Sequence, residues 1–230
     1  MNLLAFNSRG LGLGAAVGEL HDLVRSYNPA VVLLSETKQK SKSMERLQWS
    51  MGFRHGVCVE GKGKGGGLAL WWRDAFDVSV RPWCQYFIDA KNSSEAGTWK
   101  FTGIYGEPRT ELRCKTWEAL RFLRAQDDLP WLCAGDFNKI LRQEEQLGLH
   151  ERNEAHMVAF RECLTDCPIW PFSWAIAHSF WLRRRFQRLV SPGTRKLGRR
   201  QNSSIWSFQA VFVGYSTQFF PQRDPYRRWC

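Results

Sequence analysis

The segment Trp131-Leu132-Cys133-Ala134-Gly135-Asp136-Phe137-Asn138 is the most informative part of this sequence. Its first four residues are apolar and predict a buried strand. Its last four residues place a carboxylate and a carboxamide two positions apart, just after that strand. Open α/β sheets carry their chemistry at this end of their strands. An Asp and an Asn after a strand also commonly form a turn, so this segment alone does not fix a function.

Polar residues also follow three other apolar segments upstream. Asn7 follows the segment 1–6, Glu36 follows Val31–Ser35, and Tyr105 ends the segment 101–105. Polar groups at four strand ends predict a single site lined with oxygen atoms.

The spacing of apolar residues predicts that helices and strands alternate up to about Cys167. Helices are predicted at 15–27, 43–51, 110–124 and 152–164, and strands at 1–6, 31–35, 53–59, 68–72, 78–80, 85–89, 99–105 and 131–134. Several strands follow one another without a helix between them. This mixture favours an α/β fold built as a layered sandwich over a doubly wound sheet.

The chain has 230 residues and a net charge of +11, and the charge is unevenly distributed. Residues 168–230 contain 11 of the 33 basic residues and one of the 22 acidic residues, so the first 167 residues are nearly neutral. We therefore expect a domain at 1–167 and an atypical basic, aromatic tail at 168–230. Three interpretations of the tail stay open: translation out of frame, disorder, or an evolved segment that binds polyanions.

The cysteines and the hydropathy indicate a reduced protein without a membrane segment. The seven cysteines are scattered and include no Cys-x-x-Cys pair. No apolar run approaches the ~20 residues of a membrane helix. Met1 leads directly into a strand-like segment, so we expect no secretory signal and no membrane partner.

The four polar strand ends suit a hard divalent cation. Magnesium prefers one or two carboxylates and leaves other positions to water and substrate phosphate. Glu36 is the best direct ligand, because a lone acid after a fully apolar strand loses solvation unless it is paired. Asp136 would hold or deprotonate a water, and Asn7 and Asn138 would bind phosphoryl oxygens. Each residue also has a plainer interpretation as a turn former.

A glycine-rich segment at Gly61–Gly67 offers a weaker signal. It lacks the Ser or Thr and the following helix of a phosphate-binding loop. We predict a hairpin turn there, whose two lysines would lie near a substrate backbone.

Five motifs together resemble the endonuclease/exonuclease/phosphatase superfamily, in the order in which that superfamily carries them. They are Asn7-Ser8-Arg9-Gly10-Leu11-Gly12, Leu34-Ser35-Glu36-Thr37-Lys38, Gly66-Gly67-Leu68-Ala69, Thr102-Gly103-Ile104-Tyr105-Gly106 and Gly135-Asp136-Phe137-Asn138. In sequence, these five motifs are most similar to those of the apurinic-endonuclease-like domain of plant LINE-type (non-LTR) retrotransposons. The resemblance covers about the first 167 residues.

The resemblance implies a four-layered α/β sandwich, with two packed mixed β-sheets flanked by helices. It makes Glu36 the magnesium carboxylate, with Asn7 near the metal or phosphate and manganese as an alternative ion. Asp136 would orient the nucleophilic water and Asn138 would hold the scissile phosphate. Tyr105 would donate to the phosphate or to the leaving group. The implied reaction is metal-assisted nicking of DNA, and a DNA substrate implies a nuclear rather than a cytoplasmic location.

The resemblance fails after Cys167. Relatives continue with an Asp-Leu-Gly-Phe stretch and close with Ser-Asp-His, and this chain has neither. None of its five histidines follows an aspartate. We therefore expect a second sheet that lacks strands and an impaired enzyme. The alternatives are an inactive remnant that binds nucleic acid and a phosphatase on the same fold. The oligomeric state and the target-site preference do not follow from the sequence.

Overall fold

The structure is a computed structural model. It describes residues 3–61, 65–94, 97–143 and 153–167, together with the backbone of two short strands at 170–171 and 209–213.

The chain contains ten strands and four α-helices within the described residues. In chain order they are β1 (Leu3–Asn7), α1 (Gly14–Tyr27), β2 (Val31–Ser35), α2 (Ser41–Ser50), β3 (His55–Val59), β4 (Leu68–Trp72), β5 (Asp77–Cys84), β6 (Phe87–Ser94), β7 (Gly97–Tyr105), α3 (Cys114–Arg124), β8 (Trp131–Asp136), α4 (Glu154–Asp166), β9 (Trp170–Pro171) and β10 (Gln209–Val213). A single 3-10 turn, Thr110–Leu112, precedes α3. Among the described helices, none combines the length and apolar character that crossing a membrane requires.

The strands form two mixed sheets. The first has the order β1-β2-β4-β3, and the second has the order β5-β6-β7-β8-β10-β9. Each sheet contains one parallel pair, β1 with β2 in the first and β7 with β8 in the second. The other pairs are antiparallel. Parallel neighbours end at the same edge of a sheet, so this pairing decides where the strand-end residues meet.

Three buried apolar clusters separate four layers. The first, which includes Leu20 and Trp71, lies between α1, α2 and the first sheet. The second, which includes Leu33 and Ile88, lies between the two sheets. The third, which includes Phe160, lies between the second sheet and α3 and α4. The predicted four-layered α/β sandwich is therefore confirmed.

Strand β5 is longer than predicted. The sequence prediction covered only residues 78–80. The structure continues the strand through Pro82 to Cys84, with a register shift between Val80 and Trp83. β5 is the outermost strand of its sheet, and a proline is tolerated there because one side of the strand needs no ladder bonds.

Two other elements differ from prediction by more than two residues at one end. The predicted strand 85–89 is β6, which runs from Phe87 to Ser94, because residues 85–86 form the turn of a hairpin with β5. The predicted helix 110–124 consists of the 3-10 turn followed by α3. Gly61–Gly67 joins the antiparallel strands β3 and β4, which confirms the predicted hairpin. Its two lysines lie outside the described residues.

Two segments beyond Cys167 belong to the second sheet. β10 pairs with β8 over Gln209–Val213, and the two residues of β9 pair with β10. The second sheet thus has six strands in the described part of the chain, where the sequence led us to expect missing strands. The rest of 168–230 lies outside the described residues, so the predicted boundary at Cys167 stays a prediction.

Candidate active site

The carboxyl ends of the two parallel pairs meet and bring four strand ends together. In the first sheet, Asn7 pairs in register with Ser35, the residue before Glu36. In the second sheet, Tyr105 pairs with Asp136. The packing of the two sheets places one pair against the other.

The side-chain amide of Asn7 joins the two carboxylates. Its Nδ2 donates to Oδ2 of Asp136 at 2.8 Å and to Oε1 of Glu36 at 3.2 Å. Its Oδ1 accepts from the backbone N–H of Arg9 at 3.2 Å, which is consistent with this orientation of the amide. One neutral donor thus holds two acids in adjacent positions, although they belong to different sheets and are 100 residues apart in sequence.

Asp136 is nearly buried and has a hydrogen bond on each oxygen. Oδ1 accepts from the backbone N–H of Asn138 at 2.8 Å, and the side-chain Nδ2 of Asn138 donates to the carbonyl of Gly106 at 2.6 Å. Burial raises the pKa of Asp136 above its ordinary value, and the bonds from Asn138 and Asn7 oppose this rise. A carboxylate with a raised pKa and fixed orientation is suited to accept a proton from water.

Glu36 lies against Tyr105 and Lys38. The phenol of Tyr105 donates to Oε1 of Glu36 at 3.3 Å, and the ammonium of Lys38 lies 3.3 Å from Oε2. Burial raises the pKa of Tyr105, and the carboxylate of Glu36 raises it further. Tyr105 is therefore a protonated hydrogen-bond donor at neutral pH.

The backbone at this edge of the molecule adopts an uncommon conformation. Arg9, Glu36, Lys38 and Asn138 all have φ between 50° and 52°. Residues other than glycine rarely adopt such angles. Each costs about 1–3 kcal/mol and persists only where the surrounding structure enforces it. Such strain commonly clusters at functional sites, and here it coincides with the two carboxylates.

Gly135 is required for the approach of β8 to β7. Its φ is +140°, and a Cβ atom at this position would lie 2.0 Å from the carbonyl oxygen of Ile104. Only glycine fits there, and the resulting backbone path directs the next residue, Asp136, towards the first sheet.

The structure brings all five predicted site residues together. The contacts given above join the side chains of Asn7, Glu36, Tyr105 and Asp136, and Asn138 joins them through its backbone N–H. Their assignment to catalysis or to metal binding stays a prediction. Asn7 presents its amide nitrogen to the carboxylates and its oxygen to a backbone N–H.

Two contributing residues were not singled out from the sequence. Ser8 is buried, and its hydroxyl donates to the carbonyls of Ser35 and Glu36 at 3.0 and 3.1 Å, which ties the end of β1 to the end of β2. Lys38 pairs with Glu36. Both stand inside the motifs quoted above. Ser8 directly follows Asn7 and Lys38 lies two residues after Glu36, and this closeness to a strand-end residue was the sequence feature that could have identified them.

The residues that could hold a metal ion are Glu36 and Asp136, the two carboxylates that Asn7 brings together. In the part of the chain that the structure describes, no group of three or more His, Cys, Asp or Glu side chains is arranged to hold a metal. The available donors are hard oxygens, and one oxygen of Glu36 already faces a cation, the ammonium of Lys38. This donor set fits a cation such as magnesium, which binds through one or two carboxylates and keeps several waters.

Comparison with known proteins agrees with this architecture. The sequence profile described as "Endonuclease/Exonuclease/phosphatase family" matches residues 1–203, so the chain belongs to this family. Family members of this type are hydrolases, nucleases or phosphatases. No curated protein matches the sequence.

Three solved structures illustrate the shared fold. An AP endonuclease from Archaeoglobus fulgidus has 14% identity and a TM-score of 0.63, with 93% of this chain and 86% of that chain covered. A variant of the 3′ phosphatase NExo from Neisseria, bound to a product DNA hairpin, has 17% identity and a TM-score of 0.57, with 93% and 86% covered. The endonuclease domain of TRAS1, a telomere-specific non-LTR retrotransposon, has 14% identity and a TM-score of 0.55, with 92% and 84% covered. At these identities the likeness is one of fold.

Proposed function

We propose that this chain is a magnesium-dependent endonuclease domain that hydrolyses a DNA phosphodiester, and that its activity is impaired. One observation carries this proposal. The amide of Asn7 joins Glu36 and Asp136 across the two sheets, the phenol of Tyr105 donates to Glu36, and the backbone N–H of Asn138 donates to Asp136. Two fixed acids bordered by neutral donors suit the attack of a water on a phosphate.

The roles follow from the contacts. Asp136 accepts the proton of the attacking water, because burial raises its pKa and Asn7 and Asn138 fix its two oxygens. Tyr105 keeps its proton and donates to a phosphoryl or leaving oxygen. Asn138 fixes Asp136 through its backbone N–H, and by the resemblance the second hydrogen of its Nδ2 would bind phosphate without adding negative charge to the site.

Glu36 holds the divalent cation in this proposal, with Asn7 beside it. When bound, the cation supplies positive charge that polarises the scissile phosphate. Magnesium suits the hard oxygen donors, and manganese is the alternative ion.

The impairment follows from residues that this sequence lacks. The five motifs resemble those of plant LINE-type retroelements, whose nicking leaves a 3′-hydroxyl for reverse transcription, and the relatives close with an Asp-His pair. The chain contains no Asp-His sequence, and His178, the one histidine beyond Cys167, lies outside the described residues. Loss of a proton-transfer group lowers the rate by roughly 10²- to 10⁴-fold.

A nuclear location belongs to the same proposal, because DNA is the substrate.

The basic C-terminal region supports a second candidate, an inactive remnant that binds nucleic acid. Residues 168–230 carry 11 basic residues, five of the 12 tryptophans and one acid. Cations bind phosphates and aromatic rings stack on bases, so such a segment would hold nucleic acid without catalysis.

Plasmid nicking in the presence of Mg²⁺ tests the proposal. The full chain is compared with Asp136→Ala and Glu36→Gln, and Glu118→Gln on the exposed face of α3 serves as the matched control. We expect slow nicking by the full chain and by the control, and none by the other two variants. Thermal unfolding of each variant shows whether it is folded.

The outcomes separate the candidates. Nicking that persists in Asp136→Ala and Glu36→Gln refutes the proposed site. No nicking by any variant, together with DNA binding that weakens steeply with salt, supports the remnant. In that case, replacing Arg183, Arg184 and Arg185 by glutamine should weaken binding. No nicking and no binding refute both candidates.

A further inference from the structure

The ammonium of Lys38 already occupies the outward oxygen of the proposed metal carboxylate. Its Nζ lies 3.3 Å from Oε2 of Glu36, whereas Oε1 accepts from Asn7 and Tyr105. The side chain of Glu36 is 12% exposed and that of Lys38 is 37% exposed. The carboxylate is therefore held on its inner side and is paired with a solvent-accessible cation on its outer side.

The backbone that carries this ion pair is fixed on three sides. The N–H groups of Thr37 and Lys38 donate to the carbonyls of Gly67 and Gly66 at 3.3 and 3.1 Å. The N–H of Leu11 donates to the carbonyl of Thr37 at 2.9 Å. The hydroxyl of Ser8 donates to the carbonyl of Glu36. Because these bonds hold the loop, movement of the ammonium requires rotation of the Lys38 side chain and no rearrangement of the backbone.

The stem of Lys38 runs along Gly10. A Cβ atom on Gly10 would lie 3.4 Å from Cδ of Lys38, and Gly10 has a φ of +114° that disfavours other residues. The loop after β1 thus leaves a path for the lysine from solvent to Glu36. The ammonium also offsets part of the negative charge of Glu36, which shares the Asn7 amide with Asp136.

We propose that Lys38 is a placeholder for the divalent cation. In the metal-free protein its ammonium neutralises Glu36, and it would give way when a divalent cation binds this carboxylate. This inference rests on the proposed function, because it takes Glu36 as the metal carboxylate, and it makes Lys38 a positioning residue.

If Lys38 is a placeholder, replacing it should lower the Tm of the metal-free protein but not that of the metal-bound protein. In the metal-free protein, Lys38→Met leaves Glu36 unpaired beside Asp136 and lowers the Tm. At saturating Mn²⁺ the ion takes over the same charge, so the Tm difference disappears. Because the ammonium no longer competes, Lys38→Met also binds Mn²⁺ more tightly, by roughly twofold to fivefold, the range expected for a partly exposed ion pair.

The experiment measures thermal unfolding and Mn²⁺ binding by calorimetry on the full chain, in EDTA and in saturating Mn²⁺. Lys38→Met is compared with Lys38→Arg, which keeps the charge, and with Lys42→Met, which removes an exposed lysine from α2. We expect the two comparison variants to behave like the unmodified chain. Adding Glu36→Gln to Lys38→Met should restore the metal-free Tm, which tests the pairing even if the single variant folds poorly.

Each outcome of this experiment supports or contradicts the proposal that Lys38 is a placeholder. An equal Tm loss with and without Mn²⁺, or an unchanged Mn²⁺ affinity, shows that Lys38 does not give way to the ion and overturns the inference. If Mn²⁺ binds the unmodified chain and Glu36→Gln abolishes binding, the proposed function survives even when Lys38→Met has no effect. If Mn²⁺ binds no variant, both proposals fail.

Discussion

Replacing Asn7 by leucine tests whether one amide holds the site together. Leucine has nearly the same shape but removes the donor to Asp136 at 2.8 Å and to Glu36 at 3.2 Å. A hydrogen bond to a charged group contributes about 1.5–3 kcal/mol. Asn7 is half-buried, so the lower figure applies, and two such bonds predict a loss of about 3 kcal/mol in the free energy of unfolding.

A double-mutant cycle separates this loss from a change in packing. Asp136→Asn removes the charge at the shorter of the two bonds, so Asn7→Leu should cost about 1 kcal/mol less in that background. The assay is urea unfolding of the four proteins, with the slope of free energy against urea checked for constancy. If the chain nicks DNA, Asn7→Leu should also lower the nicking rate by about 10²-fold.

Two results would refute this reasoning. A cost below about 0.5 kcal/mol for Asn7→Leu would mean that the bonds do not contribute measurably. An equal cost in the presence and absence of the Asp136 carboxylate would mean that the charge of Asp136 does not strengthen its bond with Asn7.

Three further changes test the scaffold around the site. Gly135→Ala should lower the free energy of unfolding by roughly 3 kcal/mol or more in urea, because its Cβ atom meets a backbone carbonyl and φ is +140°. Lys100→Met should cost about 2–4 kcal/mol in the same assay, because Lys100 is fully buried and its ammonium lies 3.0 Å from Asp127. The hydrogen bonds of Arg109 lower the pKa of Glu107 from 4.5 to about 2, so Glu107 stabilises the fold above pH 4.5 and loses this contribution as the pH falls towards 2. Glu107→Gln should therefore cost more stability at pH 7 than at pH 3.

Matched controls accompany these changes. Gly18 lies in α1, and a Cβ atom added there would meet no atom within 4 Å, so Gly18→Ala should be neutral or stabilise by up to about 1 kcal/mol. Lys115→Met on the exposed face of α3 should leave stability unchanged. A Gly135→Ala variant as stable as Gly18→Ala would contradict the argument from β8 geometry. An equal cost of Glu107→Gln at both pH values would contradict the ion-pair argument.

The sequence predicted most of the secondary structure because that information is local. Fully apolar runs gave the buried strands β2, β4 and β8, and an apolar stripe gave α1. Predictions failed where tertiary context overrides local preference. The predicted strand 78–80 was too short, because β5 continues through Pro82, which is tolerated where β5 lies at the edge of its sheet.

The five site residues were found in the sequence because each stands at or just after a strand end inside a motif. Asn7, Glu36, Tyr105, Asp136 and Asn138 meet at one edge, as the strand-end argument predicted. The sequence did not indicate that Lys38 pairs with Glu36. A lysine two residues after a carboxylate is ordinarily solvated, and only the left-handed backbone at both positions turns the two side chains towards each other.

By itself the sequence determined the elements, the family resemblance and the identity of the strand-end side chains, because periodicity and motif order are properties of neighbouring residues. The tertiary structure alone decided that the ends of two parallel pairs, one in each sheet, meet so that Asn7 bridges Glu36 and Asp136. That contact depends on how two sheets pack over a shared apolar layer. Packing of this kind is set by the sum of many long-range contacts, which no local pattern records.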